Sequence, residues 1–172
     1  MGNMESPIKG KVILVVDDEP DVLETIEEML NECTVHKAPD YDTGLQYLMS
    51  YTYDVVILDI MGVNGFELLK AAVSYRLPTV MLTAHALSSD YLKQSIEMGA
   101  RAYIPKEKMS EIAEFLEDVL SLEHRSSLMH MFNKLGSFFN SRFGSRWMEN
   151  EKTFWEQVAS GKYEPKPVIF KK

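Results

Sequence analysis

The sequence predicts an α/β fold, a doubly wound sheet of five parallel strands, followed by a helical C-terminal extension. Short β-branched runs alternate five times with longer segments of helical periodicity, which is the pattern of βα units on a parallel sheet. The charge also changes sign: residues 1–120 carry 9 basic and 21 acidic groups, net −12, whereas residues 121–172 carry 9 basic and 5 acidic groups, net +4. We therefore expect one domain at residues 8–122 and an extension, helices with an extended tail, at residues 123–172.

The sequence signal for a strand is stronger in the first βα unit than in the second. An apolar run at residues 11–16 ends at Asp17, and helical periodicity follows from Pro20, a residue that suits a first helical turn. A weaker strand at residues 34–37 leads into a second helix, for which Asp40 is the predicted N-cap.

The next three units repeat the pattern with stronger strands. Each strand is followed directly or closely by a polar residue: residues 55–58 by Asp59, residues 78–82 by Thr83, and residues 102–104 by Lys106. A loop at residues 62–65 precedes the third helix, Gly99 ends the fourth, and the fifth covers residues 112–120.

Polar residues thus follow four of the five predicted strands. Right-handed crossovers bring the carboxyl ends of parallel strands to one edge of the sheet, where such folds bind ligands. The second strand carries no comparable group, as expected for a strand at the side of the sheet. The residues expected to lie together are Asp17, Asp18, Asp59, Thr83 and Lys106.

This set of side chains favours a metal ion and a phosphoryl group. Three carboxylates at one edge raise one another's pKa unless a cation joins them. Mg²⁺ prefers oxygen ligands and commonly uses one or two carboxylates together with a phosphoryl oxygen. A lysine and a threonine hydroxyl can bind further phosphoryl oxygens, so the set suits phosphoryl transfer to a carboxylate.

With these residues in place, the sequence resembles the response regulator receiver domains of two-component signalling, over roughly residues 8–122. The resemblance implies a flavodoxin-like (βα)₅ fold and a phosphorylation-dependent switch. The motifs that carry it are Val-Val-Asp17-Asp18-Glu19-Pro20, Val-Ile-Leu-Asp59-Ile-Met61, Met-Leu-Thr83-Ala84 and Ala-Tyr103-Ile-Pro-Lys106.

The resemblance also implies a role for each site residue. Asp59 would be the phosphoacceptor and a ligand of Mg²⁺, together with Asp17, Asp18 and the main-chain carbonyl of Met61. Thr83 would be the switch hydroxyl, Lys106 would bind the phosphoryl group, and the pose of Tyr103 would follow Thr83.

Further expectations concern the reaction. The donor would be a sensor histidine kinase or a histidine phosphotransfer protein, and the chain would be no enzyme beyond assisting its own phosphorylation and dephosphorylation. The loop between Asp59 and Gly65 is shorter than is usual in the family and lacks its proline, which bears on the lifetime of the phosphoryl group.

Each of these residues has an ordinary structural explanation when taken alone. Asp17 and Asp18 before Pro20 suit an acidic first helical turn, Thr83 is a common strand residue, and Lys106 fits a solvated loop. Only the joint pattern at four strand ends favours the site. The alternative is a receiver-like scaffold that is not phosphorylated and that acts through its C-terminal helices.

The extension carries an apolar, Phe-rich stripe at helical spacing. We predict one helix from about residue 128 to Gly144, then a second helix capped by Ser145 and closed by Gly161, and an extended tail at residues 164–170. A segment this short cannot bury its large apolar groups alone. It is expected to cover the domain or to form a homodimer; docking of a partner protein is a second possibility, and a membrane surface or nucleic acid is less favoured, since no basic recognition helix is evident.

The remaining composition points to the cytoplasm. The single cysteine, Cys33, cannot form an internal disulfide, and no signal segment is evident. The longest apolar runs fall far short of the roughly 20 residues of a transmembrane helix.

Overall fold

The computed structural model describes residues 5–85 and 87–166 and contains one five-stranded parallel sheet with the order β2-β1-β3-β4-β5. This is the fold that the alternation of elements predicts, and β2 lies at the side of the sheet as expected. The strands are β1 (Val12–Val16), β2 (Thr34–Ala38), β3 (Val55–Leu58), β4 (Thr79–Thr83) and β5 (Ala102–Pro105).

Five helices connect or follow the strands, and the first two begin as the sequence predicts. Pro20 occupies the first turn of the first helix, and the Asp40 carboxylate accepts a hydrogen bond from Thr43 N at 2.8 Å, which confirms the predicted cap. Gly99, with φ +104°, follows the fourth helix. The helices are α1 (Pro20–Met29), α2 (Tyr41–Ser50), α3 (Gly65–Ser74), α4 (Ser89–Glu97) and α5 (Ile112–Ser121).

The strand register decides which side chains meet at the carboxyl edge. Val16 on β1 lies opposite Leu58 on β3, so the residues that follow these two strands are neighbours. Thr83 on β4 lies opposite Pro105 on β5, and Lys106 is the next residue. The central strands β1 and β3 are buried and aliphatic because helices cover both faces of the sheet.

Within residues 123–166 the extension forms three α-helices, α6 (His124–Lys134), α7 (Gly136–Phe143) and α8 (Lys152–Ala159). The prediction of one helix up to Gly144 is wrong, because the chain leaves helical geometry at Leu135, where φ is −99° and ψ is 6°. Gly136 follows directly, and glycine is a weak helix former. Gly144 does end α7, with φ +92°.

The predicted start of the last helix is also wrong. Ser145 caps no helix; α8 begins at Lys152 after a short 3₁₀ helix, Glu149–Glu151. Gly161, with φ +75°, follows the end of α8 as predicted. Residues 164–166 are not helical, and the rest of the predicted extended tail lies outside the described residues.

The extension packs against the domain, so the structure favours the covering role among those left open by the sequence. Phe139 on α7 is fully buried, and its ring lies 6.3 Å from that of Tyr103 on β5. Lys134 Nζ lies 2.9 Å from Glu114 Oε2 on α5. No helix within residues 5–85 and 87–166 has the length and apolar character that a membrane span requires.

Candidate functional site

Asp17 and Asp59 lie side by side at the carboxyl edge of the sheet. Both follow central strands, and the main chain at Asp59 is fixed by a hydrogen bond from its N–H to Val16 O at 3.0 Å. The two residues are only 1% and 3% exposed. Asp17 Oδ1 accepts a hydrogen bond from Glu19 N at 2.8 Å, which orients the carboxylate at the start of α1.

Lys106 bridges the two buried carboxylates. Its Nζ lies 2.8 Å from Asp17 Oδ2 and 3.4 Å from Asp59 Oδ2. Lys106 reaches them because β5 ends at Pro105, after which a 3₁₀ helix, Lys106–Glu111, turns the side chain across the edge. Glu19 Oε1, at 3.6 Å from the same nitrogen, adds a third acidic neighbour.

The protonation of these groups reflects burial and mutual charge. Burial, followed by the charge of Asp17, raises the pKa of Asp59 to about 6, against a partial opposing effect of Lys106. Burial also raises the pKa of Asp17. Burial by itself would lower the pKa of Lys106, but the hydrogen bond and charge of Asp17, with Asp59 and Glu19, raise it overall. Lys106 therefore stays charged at neutral pH.

The loop after Asp59 is held tightly against the acidic residues. Asn64 has a left-handed backbone with φ +52°, and a Cβ on Gly65 would lie 2.0 Å from Asp59 O. A Cβ on Gly62 would lie 2.4 Å from Asp18 Oδ2. These glycines let the short loop 62–65 turn close to Asp18 and Asp59.

The acidic residues fit a hard divalent cation. Asp17, Asp18 and Glu19 each offer a carboxylate oxygen, and these atoms lie within 4.8 Å of one another. Asp17 Oδ2 is buried, and its close contact is the ion pair with Lys106 Nζ at 2.8 Å. An all-oxygen set of carboxylates matches what Mg²⁺ binds. Sequence reasoning missed Glu19 as a member, although it directly follows Asp18.

Thr83 and Tyr103 occupy adjacent strands near this edge. Thr83 is fully buried at the end of β4. Tyr103 is buried on β5, and its hydroxyl oxygen accepts a hydrogen bond from Ser88 N at 3.2 Å, so the ring points inward. The contact between Tyr103 and Phe139 links this strand to the extension. No local sequence pattern predicts that contact, because 36 positions separate the two residues.

Three further polar residues lie outside the group formed by Asp17, Asp59 and Lys106. His85 is at the exposed rim, with Nε2 3.7 Å from Glu19 Oε1. Asp54 lies at the opposite edge of the sheet, where Oδ2 accepts a hydrogen bond from Val12 N at 2.8 Å. Cys33 is half-buried and makes no disulfide.

The chain has an α/β domain whose parallel sheet carries, at its carboxyl edge, a buried pair of carboxylates bridged by a lysine. Residues 13–117 match the family model of the response regulator receiver domain. The chain therefore belongs to the response regulator receiver domain family of two-component systems. The match confirms the resemblance, whereas the domain boundary near residue 122 stays a prediction.

Curated proteins with similar sequences include two bacterial proteins. The chain is 33% identical over 122 residues to the Fimbriae Z protein of Salmonella typhimurium, covering 66% of this chain and 58% of that protein. It is 32% identical over 102 residues to the Response regulator GtcR of Aneurinibacillus migulanus, covering 56% of this chain and 42% of that protein. The chain thus spans about half the length of the curated relatives it matches.

Solved structures with similar folds come from proteins described as response regulators. A CheY-like response regulator receiver domain protein from Methanospirillum hungatei superposes with a TM-score of 0.60 at 26% identity, covering 65% of this chain and 94% of that chain. A putative response regulator from Chloroflexus aurantiacus gives 0.59 at 27% identity, covering 66% and 100%. The extension lies largely beyond these matches.

Proposed function

We propose that the chain is a phosphorylation-dependent switch that accepts a phosphoryl group on Asp59 from a phosphohistidine of a partner sensor kinase or phosphotransfer protein. Its setting would be the cytoplasm, and its role would be to change state rather than to turn over an external substrate. The alternative is a scaffold that carries the receiver fold but takes no phosphoryl group.

The observation that carries the proposal is the position of Lys106 between Asp17 and Asp59. A buried carboxylate with a pKa raised to about 6 is ionised at neutral pH and poorly solvated, which makes it available as a nucleophile. Lys106 Nζ, 3.4 Å from Asp59 Oδ2, is placed to bind an oxygen of a phosphoryl group attached there. A scaffold has no need for this arrangement of buried charges.

The reaction follows from these groups. A carboxylate oxygen of Asp59 attacks the phosphorus of the phosphohistidine, and a new P–O bond forms as the P–N bond breaks. The electron pair of the broken bond goes to the partner's imidazole, which takes a proton from water, and Asp59 becomes an acyl phosphate. Lys106 offsets the charge of the equatorial oxygens, and the Thr83 hydroxyl is the proposed donor to another of them.

Mg²⁺ is the proposed cofactor, and it would offset the negative charge of the carboxylates and of the incoming phosphoryl group. Asp17 and Asp18 would hold it, with Asp59 and the main-chain carbonyl of Met61 as further proposed ligands. The oxygens of Asp17, Asp18 and Glu19 within 4.8 Å of one another support this choice. Glu19 enlarges the set beyond the residues that the sequence indicates.

The proposed output runs through β5. Tyr103 contacts Phe139, and Glu107, the neighbour of Lys106, forms an ion pair with Arg142 on α7. A movement of Lys106 would therefore first affect these contacts with the extension. A homodimer through the C-terminal helices stays a prediction that light scattering can test, and a nucleic acid partner is not proposed.

Phosphorylation of Asp59 is tested with acetyl phosphate and Mg²⁺. We expect the intact protein to gain the mass of one phosphoryl group in an acid-stable, base-labile linkage, and we expect Asp59→Asn to gain none. EDTA should suppress the reaction, because it removes the cation that offsets the charge of the donor.

Asp54→Asn is the matched control, since Asp54 lies at the opposite edge of the sheet. It should be phosphorylated like the unaltered protein, provided that circular dichroism shows a folded chain. If no acyl phosphate forms with acetyl phosphate or with phosphohistidine donors, the scaffold alternative is the better description.

A further inference from the structure

An exposed aromatic surface lies at the edge of the sheet opposite to Asp59. It forms where α2 leads into β3 and α3 leads into β4, beside the amino ends of these strands. Three large apolar side chains define it, and we call it the α2–α3 face: Met49 is 67%, Tyr51 54% and Tyr75 51% exposed. Of the large apolar side chains in residues 5–85 and 87–166, only Met61 is comparably exposed. Such a cluster on a charged protein indicates a contact surface.

Tyr51 is held in place although its ring is more than half exposed. The ring centroid lies 5.2 Å from that of His36 on β2, 5.9 Å from that of Tyr47 on α2 and 6.3 Å from that of Tyr53, each in edge-to-face geometry. Tyr53 is buried, and its hydroxyl is hydrogen-bonded to His36 Nδ1 at 2.8 Å, which anchors the cluster in the domain. A ring fixed in this way loses little conformational entropy when a partner covers it, as an interface anchor requires.

A groove of about 310 Å³ lies next to Tyr51. Its walls include Leu48 and Met49 at the end of α2, and Tyr75 and Leu77 after α3. None of the lining residues that the structure describes is charged. The α2–α3 face therefore offers both a protruding ring and a groove that can receive one.

The charge of the chain favours a second copy of it as the partner at this face. Residues 1–120 carry 9 basic and 21 acidic groups, net −12, so two domains repel each other wherever their acidic surfaces meet. Residues 43–53, which include most of α2 and all of the segment up to Tyr53, contain no Asp, Glu, Lys or Arg. Two copies can therefore approach through this segment without bringing like charges together.

The helices of the extension are engaged within their own chain. Phe139 contacts Tyr103 on β5, and Lys134 pairs with Glu114 on α5. A homodimer through those helices would have to replace contacts of this kind. The α2–α3 face needs no such rearrangement, because its side chains are exposed as they stand.

We propose that the α2–α3 face is a homodimer interface, in which Tyr51 of each copy enters the groove beside Tyr75 of the other. A two-fold arrangement of this kind is self-complementary, because the same surface supplies the ring and the groove. The carboxyl edge with Asp59 stays open to a phosphoryl donor in both copies, since the face lies at the opposite edge. The dimer does not depend on the phosphorylation proposed above.

Sedimentation equilibrium of the full chain, over a range of protein concentrations and without a phosphoryl donor, tests this interface. We expect a monomer–dimer equilibrium with a dissociation constant on the order of 10 μM, as for a small interface. Added salt should strengthen the association, because it screens the repulsion between the acidic domains. At about 1 μM the protein should be largely monomeric, so stability measurements made there report on the single chain.

Variants at two separate positions of the face guard against a local folding defect. Tyr51→Ala should weaken dimerisation by roughly tenfold or more, as expected for an anchor ring, whereas Tyr51→Phe keeps the ring and should dimerise like the unaltered chain. Tyr75→Glu should prevent dimerisation at the same concentrations, because it places two like charges in the interface. Ser137→Glu adds the same charge at an exposed position of α7 and should have no effect.

Two results would overturn the proposal, provided that circular dichroism shows each variant to be folded. One is a chain that stays monomeric at concentrations well above the expected dissociation constant, which would leave the face to solvent or to another protein. The other is a dimer that persists in both Tyr51→Ala and Tyr75→Glu, which would place the interface elsewhere, as in the predicted dimer through the C-terminal helices. Neither result affects the test of phosphorylation at Asp59.

Discussion

The receiver domain and the extension build their cores from different side chains. In the domain, β1 and β3 bury aliphatic residues such as Leu14 and Val56 between two layers of helices. In the extension, aromatic rings pack on one another: Phe132 stacks on Trp155 with ring centroids 5.7 Å apart, and Phe139 stacks on Phe143 at 5.4 Å. Large rings bury much apolar area per residue, so a short segment can form a core from few side chains.

The two regions also differ in what covers their apolar cores. The sheet and its five helices close the aliphatic core from both faces, whereas the extension needs the surface of the domain. Phe139 is 0% exposed and contacts both Phe132 within the extension and Tyr103 on β5. The extension thus shares buried contacts with the domain, consistent with the small core of so short a segment.

The largest predicted effect on stability is at the shared ring. Phe139→Ala should lower the free energy of unfolding by about 3–5 kcal/mol, because it removes a fully buried ring and leaves a cavity between extension and domain. Urea denaturation measures this loss. Met49→Ala, at a residue that is 67% exposed, is the control and should change the free energy by less than about 0.5 kcal/mol. A small loss at Phe139 would show that the extension contributes little to the fold.

The two regions also differ in how far their charged groups are buried. The domain buries Asp17, Asp59 and Lys106 together. The charged residues of the extension instead form exposed ion pairs with the domain, such as Arg142 with Glu107 and Glu151 with Lys93. Buried charges cost free energy and are retained where chemistry needs them. Exposed pairs orient the extension but stabilise it weakly.

A smaller effect is predicted for Asp59→Asn in the presence of EDTA. The folded-state pKa of about 6 lies above the ordinary 3.8, so the folded protein holds this proton more tightly than the unfolded chain does. Stability is therefore lost as the pH rises from about 4 to 6. The variant escapes that loss and should be more stable than the unaltered protein by about 2 kcal/mol at pH 7, with little difference near pH 4.

Denaturation curves at several pH values measure this difference, and Asp42→Asn, at an exposed position on α2, is the control. Addition of Mg²⁺ should reduce the advantage of Asp59→Asn, because a cation favours the carboxylate. A difference that does not depend on pH would contradict the account of a buried, repelled carboxylate.

The smallest effect is predicted for the exposed pair Arg142–Glu107. Arg142→Gln should cost at most about 1 kcal/mol, and the cost should fall as salt is raised, because the pair is solvated. The double variant with Glu107→Gln gives the coupling of the pair by a double-mutant cycle. A coupling well above that range, insensitive to salt, would assign the charges a larger share in docking the extension than the aromatic core.

Several features could be predicted from sequence because they depend on neighbours along the chain. Alternating strands and helices, the cap at Asp40 and the ends of β1 and β3 all follow from local patterns, and parallel strands then place Asp17, Asp59 and Lys106 at one edge. The break at Leu135 was missed, because the apolar stripe continues across it and hides the weak glycine that follows.

The sequence by itself determined the parallel sheet, the carboxyl edge with its acidic residues and lysine, and membership of the receiver family, because periodicity and strand-end chemistry are local properties. The tertiary structure alone decided that Phe139 packs against Tyr103 and that Arg101 and His124 line one cavity. These depend on how helices dock on the sheet. Long-range packing of this kind leaves no periodic trace in the chain.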